Sequence, residues 1–226
     1  MLVGAIRDEF IDRAWDAPGH HWPGDRSHLI GGRDRTAGGT WLAVAPTRPA
    51  MAALLNGFRR PPLDAGTRPS RGELALRILT VGDLPAELSA FDRFHLLAAA
   101  AERVELWTWD GDELHHHLLE PGTHIVVNGG LDAEADPLVP HFAPLLANLP
   151  PAGPNLADAQ RSWRELLGGD GLDPADERAL LVRREIDGRT YGSTSASFVA
   201  LSADAVRYEF NPEPARMSAW VALPTS

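Results

Sequence analysis

The side chains in this sequence that could do chemistry lie mostly where apolar runs end. Arg7-Asp8-Glu9 follows a short apolar run at the start of the chain, and Asn56 and Asn128 each close a later run and precede a glycine. Charges at the point where a buried strand emerges often line a cleft, and an asparagine amide there can donate to a developing oxyanion. The same residues also suit a solvated strand end and an Asn-Gly turn, and a turn is the simpler interpretation of the asparagines.

Histidine is the other residue type that could supply a site. His115-His116-His117 lies in a predicted strand, where only His115 and His117 share a face, and the sequence offers no carboxylate at a convincing spacing as a third metal ligand. An exposed hairpin strand is the favoured interpretation, and His20-His21 in a predicted loop gives an equally weak signal for metal or haem. We therefore predict no metal site and no bound cofactor.

Two glycine pairs resemble phosphate loops only superficially. Gly31-Gly32 and Gly38-Gly39 lack the helix context of a dinucleotide or P-loop fingerprint, so they predict turns and close backbone approach. Trp41 lies shortly after the second pair in a predicted strand. Its residue type and position favour a core side chain over a ligand stack.

The composition excludes several classes of function. The 226 residues include no cysteine and no lysine, which excludes thiol catalysis, cysteine-ligated metal centres, Schiff-base chemistry and a P-loop for the chain as given. The net charge of −10 with scattered arginines argues against nucleic-acid binding, and no apolar run is long enough to span a membrane. We expect one cytoplasmic domain over residues 1–226, because the opening apolar run is too short for a signal peptide.

The spacing of apolar residues predicts an α+β protein with mostly antiparallel pairing. A capping-box pattern, Ser70-Arg71-Gly72-Glu73, predicts the start of a helix, and Asp110-Gly111 predicts a hairpin turn. Further helices are predicted over 84–91, 137–149 and 157–167. Strands are predicted over 2–6, 29–32, 38–44, 50–55, 94–100, 104–109, 113–119, 123–128, 197–201, 206–210 and 219–223, and loops over 7–26 and 59–69.

An ordered set of motifs resembles that of the NRDE family, also called the Transport and Golgi organisation protein 2 family. The matching blocks are Ala5-Ile6-Arg7-Asp8-Glu9-Phe10, similar to an Asn-Arg-Asp-Glu signature; Gly38-Gly39-Thr40-Trp41-Leu42, similar to Gly-Gly-Thr-Trp-Leu; Ser70-Arg71-Gly72-Glu73-Leu74, similar to Ser-Arg-Gly-Glu-Leu; and Tyr191-Gly192-Ser193-Thr194-Ser195, similar to Tyr-Gly-Thr-Arg-Ser. The set spans most of the chain in the family's order, so it is more specific than any single block.

This resemblance implies a four-layer α-β-β-α sandwich of antiparallel sheets, as in N-terminal nucleophile hydrolases. In the cysteine branch of those enzymes, a cysteine exposed as the first residue attacks the substrate and its own α-amine acts as base. Carried over by position, Arg7 and Asp8 correspond to a catalytic Arg-Asp pair and Asn128 to the oxyanion donor. Asn56 and Trp41 are then expected to contact the substrate.

Three departures from the family pattern bear on activity. Met1 falls where the second strand of the family begins, so the first strand and its cysteine are expected to be missing, and we expect that the chain starts late. Ile6 stands where the signature has asparagine, and Thr194 stands where the late segment has arginine. The change at Thr194 removes a fixed cation from the expected site.

The resemblance leaves three functional hypotheses. The first is an amide or ester hydrolase, provided that the natural N-terminus carries an upstream Met-Cys. The second is a non-catalytic binding protein or chaperone for haem or a lipid- or acyl-CoA-like ligand. The third is a partner-binding domain that self-associates across the missing strand. A small-molecule ligand and an oligomer are compatible with the sequence, whereas nucleic acid and a membrane span are not expected.

Overall fold

The computed structural model describes residues 1–57, 68–150 and 156–225, so most of the loop predicted over 59–69 lies outside the described residues. In chain order the strands are β1 (Leu2–Phe10), β2 (Trp15–Gly19), β3 (Ile30–Asp34), β4 (Leu42–Ala45), β5 (Ala50–Asn56), β6 (Phe94–Ala100), β7 (Arg103–Trp109), β8 (Leu114–Leu118), β9 (Val126–Val127), β10 (Gly130–Leu131), β11 (Arg183–Ile186), β12 (Arg189–Leu201), β13 (Val206–Asn211) and β14 (Val221–Leu223). The α-helices are α1 (Gly72–Thr80), α2 (Leu138–Ala147) and α3 (Leu156–Leu167), and short 3-10 helices cover Gly24–Arg26 and Met217–Ala219.

Most of the strands belong to two antiparallel sheets. Strands β2 to β8 form a seven-stranded sheet in sequence order, while the five-stranded sheet has the order β1-β12-β13-β14 with β11 also paired to β12. Strands β9 and β10 form a separate small hairpin. The chain is therefore an α+β protein with mostly antiparallel sheets, as the apolar spacing predicts.

One apolar core lies between the two sheets and contains side chains of both. Val44 and Met51 from the seven-stranded sheet pack in one apolar cluster with Val199 and Tyr208 from the five-stranded sheet. Alternation along β1 directs Val3, like its odd-numbered neighbours, into this cluster. Any polar side chain at a further odd position of β1 is therefore carried into the space between the sheets.

Helices cover the other face of each sheet. The buried side of α1 packs with side chains of β4, β5 and β6 on the seven-stranded sheet. On the five-stranded sheet, Trp163 and Leu167 of α3 pack with Phe198 and with Leu2 and Ile6 of β1. In the part of the chain described, no helix is long and apolar enough to cross a membrane.

The loop predicted over 7–26, the helix predicted over 84–91 and the turn predicted at Gly31-Gly32 are wrong, the last because both glycines lie within β3. Residues 7–26 are not mainly loop, because β1 continues to Phe10 through pairing with β12 and β2 pairs with β3. Residues 84–91 form turns rather than a helix. Leu84, Leu88 and Phe91 are buried against the α1 cluster, so their spacing reflects burial rather than helical backbone.

The helix predicted after Ser70 exists, but the capping box does not. The N-cap is Arg71, and the Glu73 N–H donates to the backbone carbonyl of Ser70 at 3.1 Å rather than to its hydroxyl. The Glu73 carboxylate instead accepts from Arg26 at 3.0 Å. A charge-assisted hydrogen bond to arginine is stronger than one to a neutral N–H, so the acid pairs across the fold.

Gly72 allows close contact between the loop before β4 and the first turn of α1. A Cβ on Gly72 would lie 2.7 Å from the Thr40 nitrogen and 2.8 Å from its carbonyl oxygen. The Thr40 N–H also donates to the Gly72 carbonyl at 3.2 Å. Because both neighbours are backbone atoms, a methyl group there must push the helix and the loop apart.

We expect Gly72→Ala to lower the free energy of unfolding by about 1–3 kcal/mol, the usual range for overpacking, in urea denaturation. Gly122→Ala is the matched control, because Gly122 is exposed and its nearest neighbour to an added Cβ is the His124 side chain at 3.5 Å. Equal stability of the two variants would contradict the close packing described.

Candidate functional site

Arg7 and Asp8 lie on opposite faces of β1, as strand alternation requires, and the pairing of β1 with β12 contains a bulge between them. The register between β1 and β12 shifts between Arg7, which opposes Ser195, and Asp8, which opposes Ser193. Thr194 is the extra residue of the bulge, and its hydroxyl donates to the Arg7 carbonyl at 3.1 Å. Bulges of this kind re-aim side chains next to functional sites.

Arg7 lies between the sheets, and the described residues give it a single polar side-chain partner. The residue is 8% exposed, and its Nη1 donates to the Thr194 hydroxyl at 2.8 Å. Its Cζ lies 4.4 Å from the ring centroid of Trp41 and 5.9 Å from that of Trp15, so aromatic faces supply much of its surroundings. Burial lowers the pKa of Arg7. No carboxylate of residues 1–57, 68–150 or 156–225 forms an ion pair with it.

Glu9 and Asp34 carry the negative charges that attract Arg7, but both carboxylates contact other groups. Arg13 donates to Asp34 at 2.7 Å and lies 3.7 Å from Glu9. Glu9 also accepts a hydrogen bond from the Phe10 N–H at 2.9 Å. Both carboxylates therefore act on Arg7 only through longer-range attraction.

Asp8 lies on the opposite side of the strand from Arg7. Its carboxylate accepts from the Ser193 hydroxyl at 2.6 Å, and that hydroxyl accepts from the Val182 N–H at 2.9 Å. Burial raises the pKa of Asp8 despite this hydrogen bond. Ser193 borders a shallow cavity of about 340 Å³ that Leu181 also lines.

Asn128 is held at the turn between β9 and β10 by a buried histidine. The Asn128 carbonyl lies 3.1 Å from Nε2 of His95, and Nδ1 of His95 lies 2.9 Å from the Thr108 hydroxyl. Because a carbonyl can only accept, Nε2 carries the proton and Nδ1 accepts from Thr108. Burial lowers the pKa of His95, which favours this neutral form. The Asn128 residue itself is exposed.

The structure brings together some of the predicted site residues and not others. Arg7 and Trp41 are in contact. The Leu54 N–H donates to the Trp41 carbonyl, and Leu55, the next residue of β5, opposes His95 of β6. His95, which holds Asn128, therefore lies two strands from Trp41 at the same end of the sheet, and the strand spacing separates the two residues by roughly 10 Å.

Asn56 is exposed at the end of β5. Alternation places it on the α1 side with Leu54, away from the face that carries Ala53 and the space around Arg7. Among the described residues, no hydrogen bond, ion pair or ring contact joins Asn56 or Asn128 to Arg7.

The histidines that first suggest a metal do not converge. His115, His116 and His117 lie on the exposed edge strand β8, where His116 stacks on Trp107 with ring centroids 4.8 Å apart. His20 and His21 each have a ring nitrogen 2.8 Å from a backbone carbonyl. In the described part of the chain, no group of three or more His, Cys, Asp or Glu side chains could hold a metal ion.

Residue-by-residue reasoning misses the polar partners of the site. Thr194, Ser193, Ser195 and Trp15 contact or oppose the charged pair, and the sequence pattern singles out only Thr194 among them, as a departure from the family motif. Three of the four lie in Tyr191-Gly192-Ser193-Thr194-Ser195, so the motif was the available signal. Their role depends on pairing with β1, nearly the whole length of the chain away.

Comparison with protein families places the chain in a known family. The model of the family described as Transport and Golgi organisation 2 matches residues 1–144. That range includes Arg7, Asp8, Trp41, Asn56 and Asn128 but not the serines and threonine of β12. A comparison with curated proteins found no significant match.

The raised pKa of Asp8 predicts a pH-dependent stability. Because the folded-state pKa lies above the unfolded value, the fold favours the protonated acid, and stability falls as pH rises through this interval. We expect Asp8→Asn to raise the free energy of unfolding at pH 7, with a gain that shrinks toward pH 4. Urea denaturation at both pH values measures it. A variant less stable than the parent at pH 7 would show that the carboxylate is stabilising.

The neutral state of His95 predicts the opposite pH response for the β9–β10 hairpin. Its stabilising effect is complete above the ordinary pKa of 6.5 and is lost as pH falls toward the lowered folded value. We expect amide protection in the hairpin, corrected for intrinsic exchange, to fall between pH 7 and pH 5. In His95→Gln this fall in protection should be absent. The variant keeps His124, whose pKa the hydrogen bond with Asp132 raises, so it distinguishes the effect of His95 from that of His124. Equal protection of the parent at both pH values would refute the assignment.

Proposed function

Because the chain belongs to the Transport and Golgi organisation 2 family, we propose that it has the sandwich of N-terminal nucleophile hydrolases and binds a small amphipathic anion at Arg7. The order of packed elements supports the fold: α1, the seven-stranded sheet, the five-stranded sheet and α3 follow one another through three apolar clusters. That order is the one expected of an α-β-β-α sandwich.

The observation that carries the binding proposal is the isolation of Arg7. A guanidinium taken out of water without a carboxylate partner is expensive, and proteins normally pair such a charge. Arg7 instead has one hydroxyl and aromatic faces around it. An anionic ligand would supply the missing partner, and the apolar core beside it would accept the ligand's apolar body.

The other candidate residues have roles that fit this reading. Trp41 places its ring against the guanidinium and lines the same end of the inter-sheet space. Asp8 anchors the far side of the strand through Ser193, which fixes the bulge that aims Arg7. Asn128 offers an exposed amide at the same end of the seven-stranded sheet. Asn56 contributes a polar contact only to a ligand that extends around the sheet end.

Haem, fatty acids and acyl-CoA share the chemistry that this site would recognise. Each combines an apolar body with one or more anionic groups. We therefore assign recognition to the arginine, because it is a buried cation that has no carboxylate partner among the described residues. The ligand class is an amphipathic small molecule with an acidic head group.

Hydrolysis of an amide or ester is the second candidate. Arg7, Asp8 and Asn128 would then orient the substrate and stabilise the oxyanion, as the family resemblance implies. The nucleophile would have to be a cysteine in a form of the protein with an upstream Met-Cys, because the 226 residues contain none. We expect the present chain to bind without thiol-dependent turnover.

Calorimetric titration with octanoate, octanoyl-CoA and haemin tests the binding proposal. We expect at least one of these ligands to bind the parent chain and to bind Arg7→Gln roughly tenfold or more weakly, because a charge-assisted contact is lost. Arg207→Gln is the matched control, since it removes the same charge from an exposed position on β13. Binding that Arg7→Gln leaves unchanged, or no binding of all three ligands, would contradict the proposal.

A further inference from the structure

Two buried hydrogen-bond donors near Arg7 have no acceptor among the residues that the structure describes. The indole Nε1 of Trp41 and the hydroxyl of Ser195 are both buried and without a partner. Ser195 is only 1% exposed, so water does not compensate it from bulk solvent. Buried polar groups in native proteins are nearly always paired, and each exception requires an explanation.

Both unpaired donors, the Ser195 hydroxyl and the Trp41 indole N–H, are on residues next to Arg7. Ser195 is the direct cross-strand partner of Arg7 in the β1–β12 ladder, and cross-strand partners share a face of the sheet. Ser197, two residues along β12, faces the inter-sheet core and contacts the Tyr208 hydroxyl at 3.3 Å, consistent with that direction. The Trp41 ring lies against Arg7 with the centroid 4.4 Å from Cζ.

The charged acceptors near Arg7 are engaged by other donors in the described part of the chain. Asp34 accepts from Arg13 and from two backbone N–H groups of its own turn, at 2.8 and 3.0 Å. Glu9 accepts from the Phe10 N–H and faces Arg13. An acceptor from outside the chain is therefore the simplest completion of the site.

We propose that Arg7, Ser195 and Trp41 form a carboxylate cradle, meaning a set of donors that together hold one carboxylate of the bound ligand. This inference rests on the proposed function, because it names the head group held at Arg7. An ionised carboxylate accepts at about four lone-pair positions. Two N–H groups of the guanidinium, the serine O–H and the indole N–H match that number. A neutral amide head group would instead place its own N–H donors against these donors.

Paired ligands and conservative variants test the cradle. Octanoate and octanamide have the same chain length and differ in head-group charge, and both are titrated against the parent chain by calorimetry. Ser195→Ala removes one oxygen, and Trp41→Phe keeps an aromatic ring beneath the guanidinium while removing the N–H. Ser197→Ala and Trp107→Phe are the matched controls, because Ser197 faces Tyr208 and Trp107 stacks on His116.

We expect octanoate to bind the parent chain at least tenfold more tightly than octanamide. Ser195→Ala and Trp41→Phe should each weaken octanoate binding by about tenfold, the usual effect of losing one hydrogen bond to a charged group. The two controls should bind octanoate like the parent chain.

Equal affinity for octanoate and octanamide would overturn the cradle, as would unchanged octanoate binding by both Ser195→Ala and Trp41→Phe. In either case, binding of any ligand that Arg7→Gln weakens would leave the proposed function standing. If none of octanoate, octanoyl-CoA and haemin binds the parent chain, the proposed function and the cradle both fail.

Discussion

The antiparallel pairing of β1 with β12 is the constraint on which the rest of the structure depends. It joins residues 2–10 to residues 191–200, and Met1 and Leu201 exchange backbone hydrogen bonds at 2.9 and 3.0 Å. Strand β1 contributes to the core between the sheets and to the core beneath α3. Losing this pairing would therefore open two cores at once, and forming it requires closure of a loop that contains most of the chain.

The bulge in that pairing supplies the hydroxyl that contacts Arg7, whereas strand alternation places Arg7 and Asp8 on opposite faces. In an unbroken register, each residue of β1 would oppose one residue of β12, and no extra residue of β12 would lie between the partners of Arg7 and Asp8. Insertion of Thr194 instead gives Arg7 a hydroxyl partner within the inter-sheet space and gives Asp8 a serine on the far side. The same segment of β12 thus supplies the side-chain partners of both Arg7 and Asp8.

Helices and strands can be predicted from this sequence more completely than the contacts of the candidate site. Strand β6 and the β7–β8 hairpin follow from apolar alternation and a turn dipeptide, because both signals are local. The extension of β1 to Phe10 and the partners of Arg7 depend on β12, which local reasoning cannot pair with β1. The capping box at Ser70 was wrong for the same reason, since Glu73 prefers the distant Arg26.

The buried side-chain atoms without a hydrogen-bond partner in the described residues are Trp41 Nε1, Ser195 Oγ, Arg93 Nε and Trp220 Nε1, and the first two belong to the surroundings of Arg7. Buried Glu209 accepts from Arg164 at 2.6 Å, and the Ser197 hydroxyl contacts Tyr208. Arg7 has no ion-pair partner among the described residues, and the Ser195 hydroxyl and the Trp41 indole N–H near it have no acceptor there. A buried polar group without a partner costs stability, and a sequence selected only to fold would replace it with an apolar side chain. The proximity of these three donors is the physical argument for a ligand at the proposed site.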